Sequence, residues 1–139
     1  MRTGTMPRVA VVDSDSTNCK LMREICHVGG WDVAGWANNV DEGLDIVART
    51  GPACLITDYD FGSLGQPGGT GLDLIARAKS LKPDLFTIMI TGWDINDVAA
   101  HVRKHQPDRI LRKPVPPHLL MNLLKRIYTE VDVIRVRAV

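Results

Sequence analysis

No sign of charge dominates this chain. Its 139 residues carry 17 Lys and Arg against 16 Asp and Glu, a formal net charge of +1. A surface so balanced has no global field to draw in nucleic acid or an anionic membrane, and only local basic patches stay open to it. Cysteine is scarce: Cys19, Cys26 and Cys54 are odd in number and form no C-x-x-C pair, which argues against a disulfide framework or a zinc site. Reduced, packed thiols and a cytoplasmic location fit better. Long apolar runs are also missing. None approaches the roughly 18–20 residues of a membrane span, and Met1 to Pro7 lacks the apolar stretch of a secretory signal. There is no internal repeat and no low-complexity tract apart from the glycine-rich stretch Gly62 to Gly71. What is present is 45% hydrophobic and 24% charged, a balance that excludes a disordered tail, a fibre or a long charged coil. The length suits one domain around one core.

Along the chain, short apolar runs alternate with helical patterns. Arg8 to Val12 reads as a strand buried on both faces and leads to Asp13. Ser14, Asp15 and Ser16 offer cap side chains to a helix with Leu21, Ile25 and Val28 at helical spacing, closed by Gly29-Gly30. Trp31 to Ala37 is a weaker strand. Asn38, Asn39 or Asp41 caps a helix with Val40, Leu44 and Val47 on one face, stopped at Gly51-Pro52. Ala53 to Thr57 is a third strand leading to Asp58. Thr70 or Asp73 caps a helix with Leu72, Ile75 and Ala76 inward, closed by Pro83. Leu85 to Ile90 is a fourth strand, followed by Thr91-Gly92 and a helix carrying Ile95, Val98 and Val102 up to Pro107. Arg109 to Arg112 is a fifth strand ahead of Lys113-Pro114. Pro116-Pro117 opens a last helix with Leu119, Leu120, Leu123, Leu124 and Ile127 on its core face.

Five β-α units of this length imply a doubly wound parallel sheet with helices on both faces, a three-layer α/β/α fold. Ligands in such sheets gather at the carboxyl ends of the strands. Asp13, Asp58, Thr91 and Lys113 each follow a different strand, so the architecture brings two carboxylates, a hydroxyl and an ammonium to one edge. Taken singly, each is a cap, a turn former or a solvated surface group; together they form a reactive set. Two close carboxylates repel unless a hard cation such as Mg²⁺ neutralises them. A carboxylate oxygen can attack phosphorus to form an aspartyl phosphate. A lysine can pair with the new dianion, and a threonine can donate to it.

These residues resemble the receiver domain of two-component response regulators. The matching elements are Val11 to Ser16 (VVDSDS), Leu55 to Asp60 (LITDYD), Thr70 to Ile75 (TGLDLI), Ile88 to Asp94 (IMITGWD) and Ile110 to Val115 (ILRKPV), spanning about Arg8 to Tyr128. The resemblance implies a five-stranded, flavodoxin-like sheet of order 2-1-3-4-5 with five helices. It implies that Asp58 accepts a phosphoryl group from a histidine kinase or phosphotransfer protein. Mg²⁺ would be held by Asp13, Asp58 and the backbone carbonyl of Asp60, and the phosphoryl group read by Thr91 and Lys113. Gly92 matches the small-residue position beside Thr91. On this view the chain is a signalling domain rather than an enzyme, with at most slow phosphotransfer and autodephosphorylation. Its output is a switched contact with a downstream protein or output domain. A homodimer through the face from helix four to helix five is a family expectation; contact with membrane or nucleic acid is not.

Three departures stand out. Ser14 replaces the second of two adjacent acids, which should weaken Mg²⁺ binding unless Asp15 or the Asp60 side chain compensates through water. Ile110 replaces the aromatic that usually switches on strand five. The loop from Asp58 to Gly71 is longer and richer in glycine than usual, and GSLGQPGGTG matches no phosphate-binding loop pattern. Trp93 either overhangs the site and slows hydrolysis or simply covers helix four. His101 and His105 are four apart but lack a third ligand, and His27 and His118 are single helical histidines. Ser14 and Ile110 also keep open a phosphate-independent interaction module built on the same fold. A haloacid-dehalogenase-like phosphatase would suit Asp60 two residues past Asp58, but its acceptor strand comes first in the chain. The expected organisation is an extended or disordered N-terminus over 1–7, the receiver over 8–129, and a tail over 130–139 that extends the last helix, pairs as a strand or begins a linker.

Overall fold

The computed structural model describes residues 6–61, 69–99 and 106–137. Met1 to Thr5, positions 62–68 of the glycine-rich stretch, positions 100–105 with His101, Val102 and His105, and the last two residues lie outside the described residues. Five apolar runs become strands: β1 (Arg8–Val12), β2 (Asp32–Ala37), β3 (Cys54–Asp58), β4 (Phe86–Thr91) and β5 (Arg109–Arg112). Helices follow each of them: α1 (Ser16–Val28), α2 (Val40–Thr50), α3 (Gly71–Leu81), α4 (Ile95–Ala99) and α5 (Pro117–Arg137). All strand pairs are parallel, in the order β2-β1-β3-β4-β5. The reversal of strand order at β1 and β3 is the topological switch point of such sheets.

Strand side chains alternate between the two faces, as the pleat requires. Ala10, Val12, Leu55 and Met89 pack with Val40, Ile46 and Val47 of α2, Leu74, Ile75 and Ala78 of α3, and Val98 of α4. Val9, Val11, Ile56, Ile88 and Ile90 pack on the other face with Cys19, Ile25 and Cys26 of α1 and Leu120, Leu124 and Ile127 of α5. Both faces of the sheet are therefore covered by helices, while the carboxyl ends of the strands open onto loops. Trp31 precedes β2 rather than opening it. It is fully buried, its indole Nε1 donating to the Leu124 carbonyl at 2.9 Å and its ring meeting Tyr128 edge-on.

Helix starts follow the cap rules. Asp15 caps α1 through Thr17 N, Asn39 caps α2 through Glu42 N, and Thr70 with Asp73 forms a capping box on α3. Gly51 takes the left-handed conformation (φ 56°) that closes α2.

Several inward faces differ from expectation. Leu21 and Val28 of α1 are 52% and 65% exposed, because the stripe of Cys19, Met22, Ile25 and Cys26 points at the sheet instead. Cys19 and Cys26 share that contact with Met22 and Ile25, and Leu21 and Val28 fall on the flank. Leu74 and Ala78, rather than Leu72 and Ala76, are buried on α3 with Ile75. Leu119 of α5 and Ile95 of α4 are exposed. α5 runs to Arg137, through most of the segment for which helix, strand and linker were alternatives. Among the described residues no helix is long and apolar enough to cross a membrane.

Candidate functional site

Register places the polar residues side by side. Val12 pairs with Thr57, so Asp13 and Asp58 occupy the next positions on neighbouring strands. Asp58 pairs with Ile90, and Thr91 pairs with Arg112 immediately before Lys113. The β5 end is tied to β4 by the Lys113 amide, which donates to the Thr91 carbonyl at 2.7 Å; the Lys113–Pro114 peptide is cis. An open cleft of about 450 Å³ lies over this edge, lined by Ser14, Asp58, Asp60, Gly92, Trp93 and Lys113.

Asp58 is 7% exposed and accepts from Lys113 Nζ at 3.3 Å. Burial pushes its carboxyl above the ordinary range, the Lys113 ammonium opposes this, and the charge of Asp13 adds to it. Asp13 is buried as well, its Oδ1 accepting from the Asp15 amide at 2.9 Å. Thr91 is fully buried and its Oγ1 accepts from the Trp93 amide at 2.9 Å. That bond uses an oxygen lone pair, so the hydroxyl hydrogen is available to an incoming acceptor. The four strand-end groups thus meet at one edge.

The departures resolve in different ways. Ser14 is exposed on the cleft wall. Asp15 does not stand in for the missing acid there: its carboxylate is turned to the N-terminus of α1, where it accepts from Thr17 N at 2.8 Å. Asp60 does line the cleft. Ile110 is half-buried and packs on the core between sheet and α2–α4. Trp93 is 56% exposed and stands on the rim of the cleft, edge-on to Tyr59 with ring centres 6.4 Å apart. A Cβ at Gly92 would meet nothing within 4 Å, so the fold itself does not demand glycine there.

Gly71, which ends the glycine-rich stretch and belongs to the TGLDLI motif, lies directly against the backbone of the candidate site. A Cβ on it would lie 2.1 Å from the Asp58 carbonyl oxygen and 3.0 Å from the Tyr59 Cα. Its amide donates to the Tyr59 carbonyl at 2.8 Å. Glycine lets the first turn of α3 sit directly on the backbone of the Asp58 turn. The available signal was a glycine at the first helical position, where helix propensity disfavours it.

A divalent cation suits this donor set. The cleft is lined by the oxygens of Asp58, Ser14 and Asp60 beside the Lys113 ammonium, and buried Asp13 on the neighbouring strand end repels Asp58. Among the described residues no three His, Cys, Asp or Glu side chains form a cage of their own. The two carboxylates with neighbouring oxygens are what would hold Mg²⁺, which is commonly bound by one or two carboxylates and keeps its remaining positions for water and phosphoryl oxygens.

Comparison with known proteins agrees with this geometry. A family model described as the response regulator receiver domain matches residues 9–125. A curated Pseudomonas aeruginosa protein named "Putative transcriptional regulator" is 31% identical over 86 residues, a match covering 62% of this chain and 39% of that protein. The chain therefore spans well under half the length of that relative. Among solved structures, a CheY-like receiver domain protein from Methanospirillum hungatei JF-1 superposes with a TM-score of 0.77 at 24% identity, covering 91% of this chain and 96% of that one. A receiver domain protein from Clostridium thermocellum gives 0.78 at 24% identity, covering 93% and 99%. At that identity the likeness is one of fold.

Proposed function

This chain belongs to the response regulator receiver domain family, and on that premise we propose that it is a phosphorylatable switch with Asp58 as acceptor. The observation that carries the reading is the pairing of a 7% exposed Asp58 with Lys113 at 3.3 Å, beside a buried Thr91, at the mouth of an open cleft. A histidine kinase or phosphotransfer protein supplies the phosphoryl group. One Asp58 oxygen attacks phosphorus, the P–N bond of the phosphohistidine breaks, and the imidazole leaves with the electron pair and takes a proton. Asp13, Asp58 and the Asp60 backbone carbonyl would hold Mg²⁺, which supplies charge neutralisation for the incoming phosphoryl oxygens.

The chain's own groups then read the product. Lys113 already pairs with Asp58 and stays as counter-charge for the dianion. Thr91 has its oxygen fixed by the Trp93 amide and its hydrogen left to donate to a phosphoryl oxygen. Because Thr91 leads directly into the Gly92–Trp93 turn and α4, its movement displaces that face and changes a protein–protein surface. The Pseudomonas relative is named a transcriptional regulator, which supports testing transcriptional control as an output.

Ser14 on the cleft wall and an aliphatic Ile110 in the core favour a second reading, a constitutive interaction module on the same fold. One experiment separates the two. The protein is incubated with acetyl phosphate and Mg²⁺ and its intact mass recorded, beside Asp58→Asn and a metal-free control. A phosphoryl adduct that requires both Asp58 and Mg²⁺ is expected. A folded wild-type protein that takes no adduct from either acetyl phosphate or a phosphorylated histidine phosphotransfer protein refutes the switch.

A further inference from the structure

Asn38 lies between the end of β2 and the cap of α2. Its Nδ2 donates to the main-chain carbonyl of Asp13 at 2.9 Å and lies 4.0 Å from Cys19 Sγ. Cys19, buried on α1, donates to the same carbonyl at 3.4 Å and to the Ala37 carbonyl at 3.7 Å. The Asp13 amide donates to the Ala37 carbonyl at 3.0 Å, and the Asp15 amide donates to Asp13 Oδ1 at 2.9 Å. The Asp13 peptide is therefore held at both polar groups, and its carboxylate at one oxygen. A thiol is a weak donor, so the Asn38 amide is the stronger of the two bonds on that carbonyl. Neighbouring Asn39 has a separate task, accepting from Glu42 N at 2.9 Å to cap α2.

This anchoring matters because the β1 end of the cleft is short of acid. Ser14 is neutral, and Asp15 is turned to the α1 N-terminus. Asp13 is left as the β1 carboxylate, and its usefulness rests on being aimed in advance. Groups that orient a metal ligand without touching the metal are commonly worth about 10–100-fold in affinity. Resting on the reading that the site takes Mg²⁺, we propose that Asn38 is a positioning residue for Asp13, its side-chain amide fixing the Asp13 main-chain carbonyl so that the carboxylate stays beside Asp58.

The test titrates the full chain with MgCl₂ alone, by calorimetry, with melting curves taken in parallel to show that each protein is folded. The proteins are wild type, Asn38→Ala, Asn38→Leu and Asn39→Ala. Asn38→Leu keeps most of the side-chain volume while removing the amide, donor and acceptor together. Both Asn38 variants should bind Mg²⁺ about ten-fold more weakly or worse, whereas Asn39→Ala should melt lower yet keep its affinity within about two-fold. Asn38 variants that bind like wild type overturn the proposal. Equal weakening by Asn39→Ala overturns it too, since the effect would then be general loosening of the turn. A wild-type protein that binds no Mg²⁺ overturns this proposal and the metal reading together. Mg²⁺ binding without a phosphoryl adduct defeats only the phosphoacceptor reading.

Discussion

Gly71→Ala should destabilise the protein, although helix propensity taken alone predicts the reverse. Replacing glycine by alanine inside a helix gains up to about 1 kcal/mol, and less at a first position. Here the new Cβ would sit 2.1 Å from the Asp58 carbonyl oxygen and 3.0 Å from the Tyr59 Cα. Both obstacles are backbone, so no side chain can swing aside. Relief requires α3 or the Asp58–Tyr59 turn to move by roughly an ångström, an overpacking cost of about 1–3 kcal/mol. The 2.8 Å bond from the Gly71 amide to the Tyr59 carbonyl is strained by the same shift, at roughly 0.5–1.5 kcal/mol. The net expectation is a loss of about 0.5–4.5 kcal/mol, centred near 2, read by urea denaturation and as a lower melting temperature. Because the displaced backbone carries Asp58, acceptance of a phosphoryl group should slow as well. Gly92→Ala is the control, since its Cβ meets nothing within 4 Å, and it should leave stability unchanged. A Gly71→Ala protein as stable as wild type would refute the claim that α3 rests on the Asp58 turn.

Asp58→Asn tests the electrostatics of the site. The carboxyl is held above its ordinary range by burial, against the pull of Lys113 and with the added push of Asp13. The folded state therefore binds this proton more readily than the unfolded chain does, so ionised Asp58 costs stability above its folded pKa and nothing below the unfolded value. Asp58→Asn should raise the melting temperature at neutral pH, with the gain fading towards about pH 4; a less stable variant at neutral pH contradicts this. Asp15→Ala should cost about 1 kcal/mol through loss of the α1 cap and leave Mg²⁺ affinity largely unchanged; a large drop in affinity would return Asp15 to the cleft. Trp93→Ala removes the exposed ring on the rim and its contact with Tyr59, and should shorten the phosphorylated lifetime several-fold. An unchanged decay rate would leave the ring without a role in excluding water.

What could be read from the sequence, and what could not, divides along a physical line. The β1 run, Asp58 at the end of β3 and the Lys113 position were legible because each strand's apolar run gives way to a polar residue at its carboxyl end, and a parallel sheet sends all such ends to one edge. Caps were legible as a choice among neighbours: Asn38, Asn39 and Asp41 were all candidates, and backbone geometry assigned the task to Asn39. The inward face of α1 was legible only in part: Ile25 is buried as expected, but Leu21 and Val28, which outrank Cys19 and Cys26 in hydrophobicity, face outward. Asn38 and Gly71 were hidden for another reason. Each acts on a backbone carbonyl brought to it from elsewhere in the chain, Asp13 for one and Asp58 for the other. Neither contact leaves a periodicity in the sequence around it. The groups proposed to do chemistry here stand at strand ends and announce themselves; those that would aim them sit in turns that only the assembled sheet brings within reach. A substitution survey confined to Asp13, Asp58, Thr91 and Lys113 would therefore sample the charges of this site and miss the contacts that set their direction.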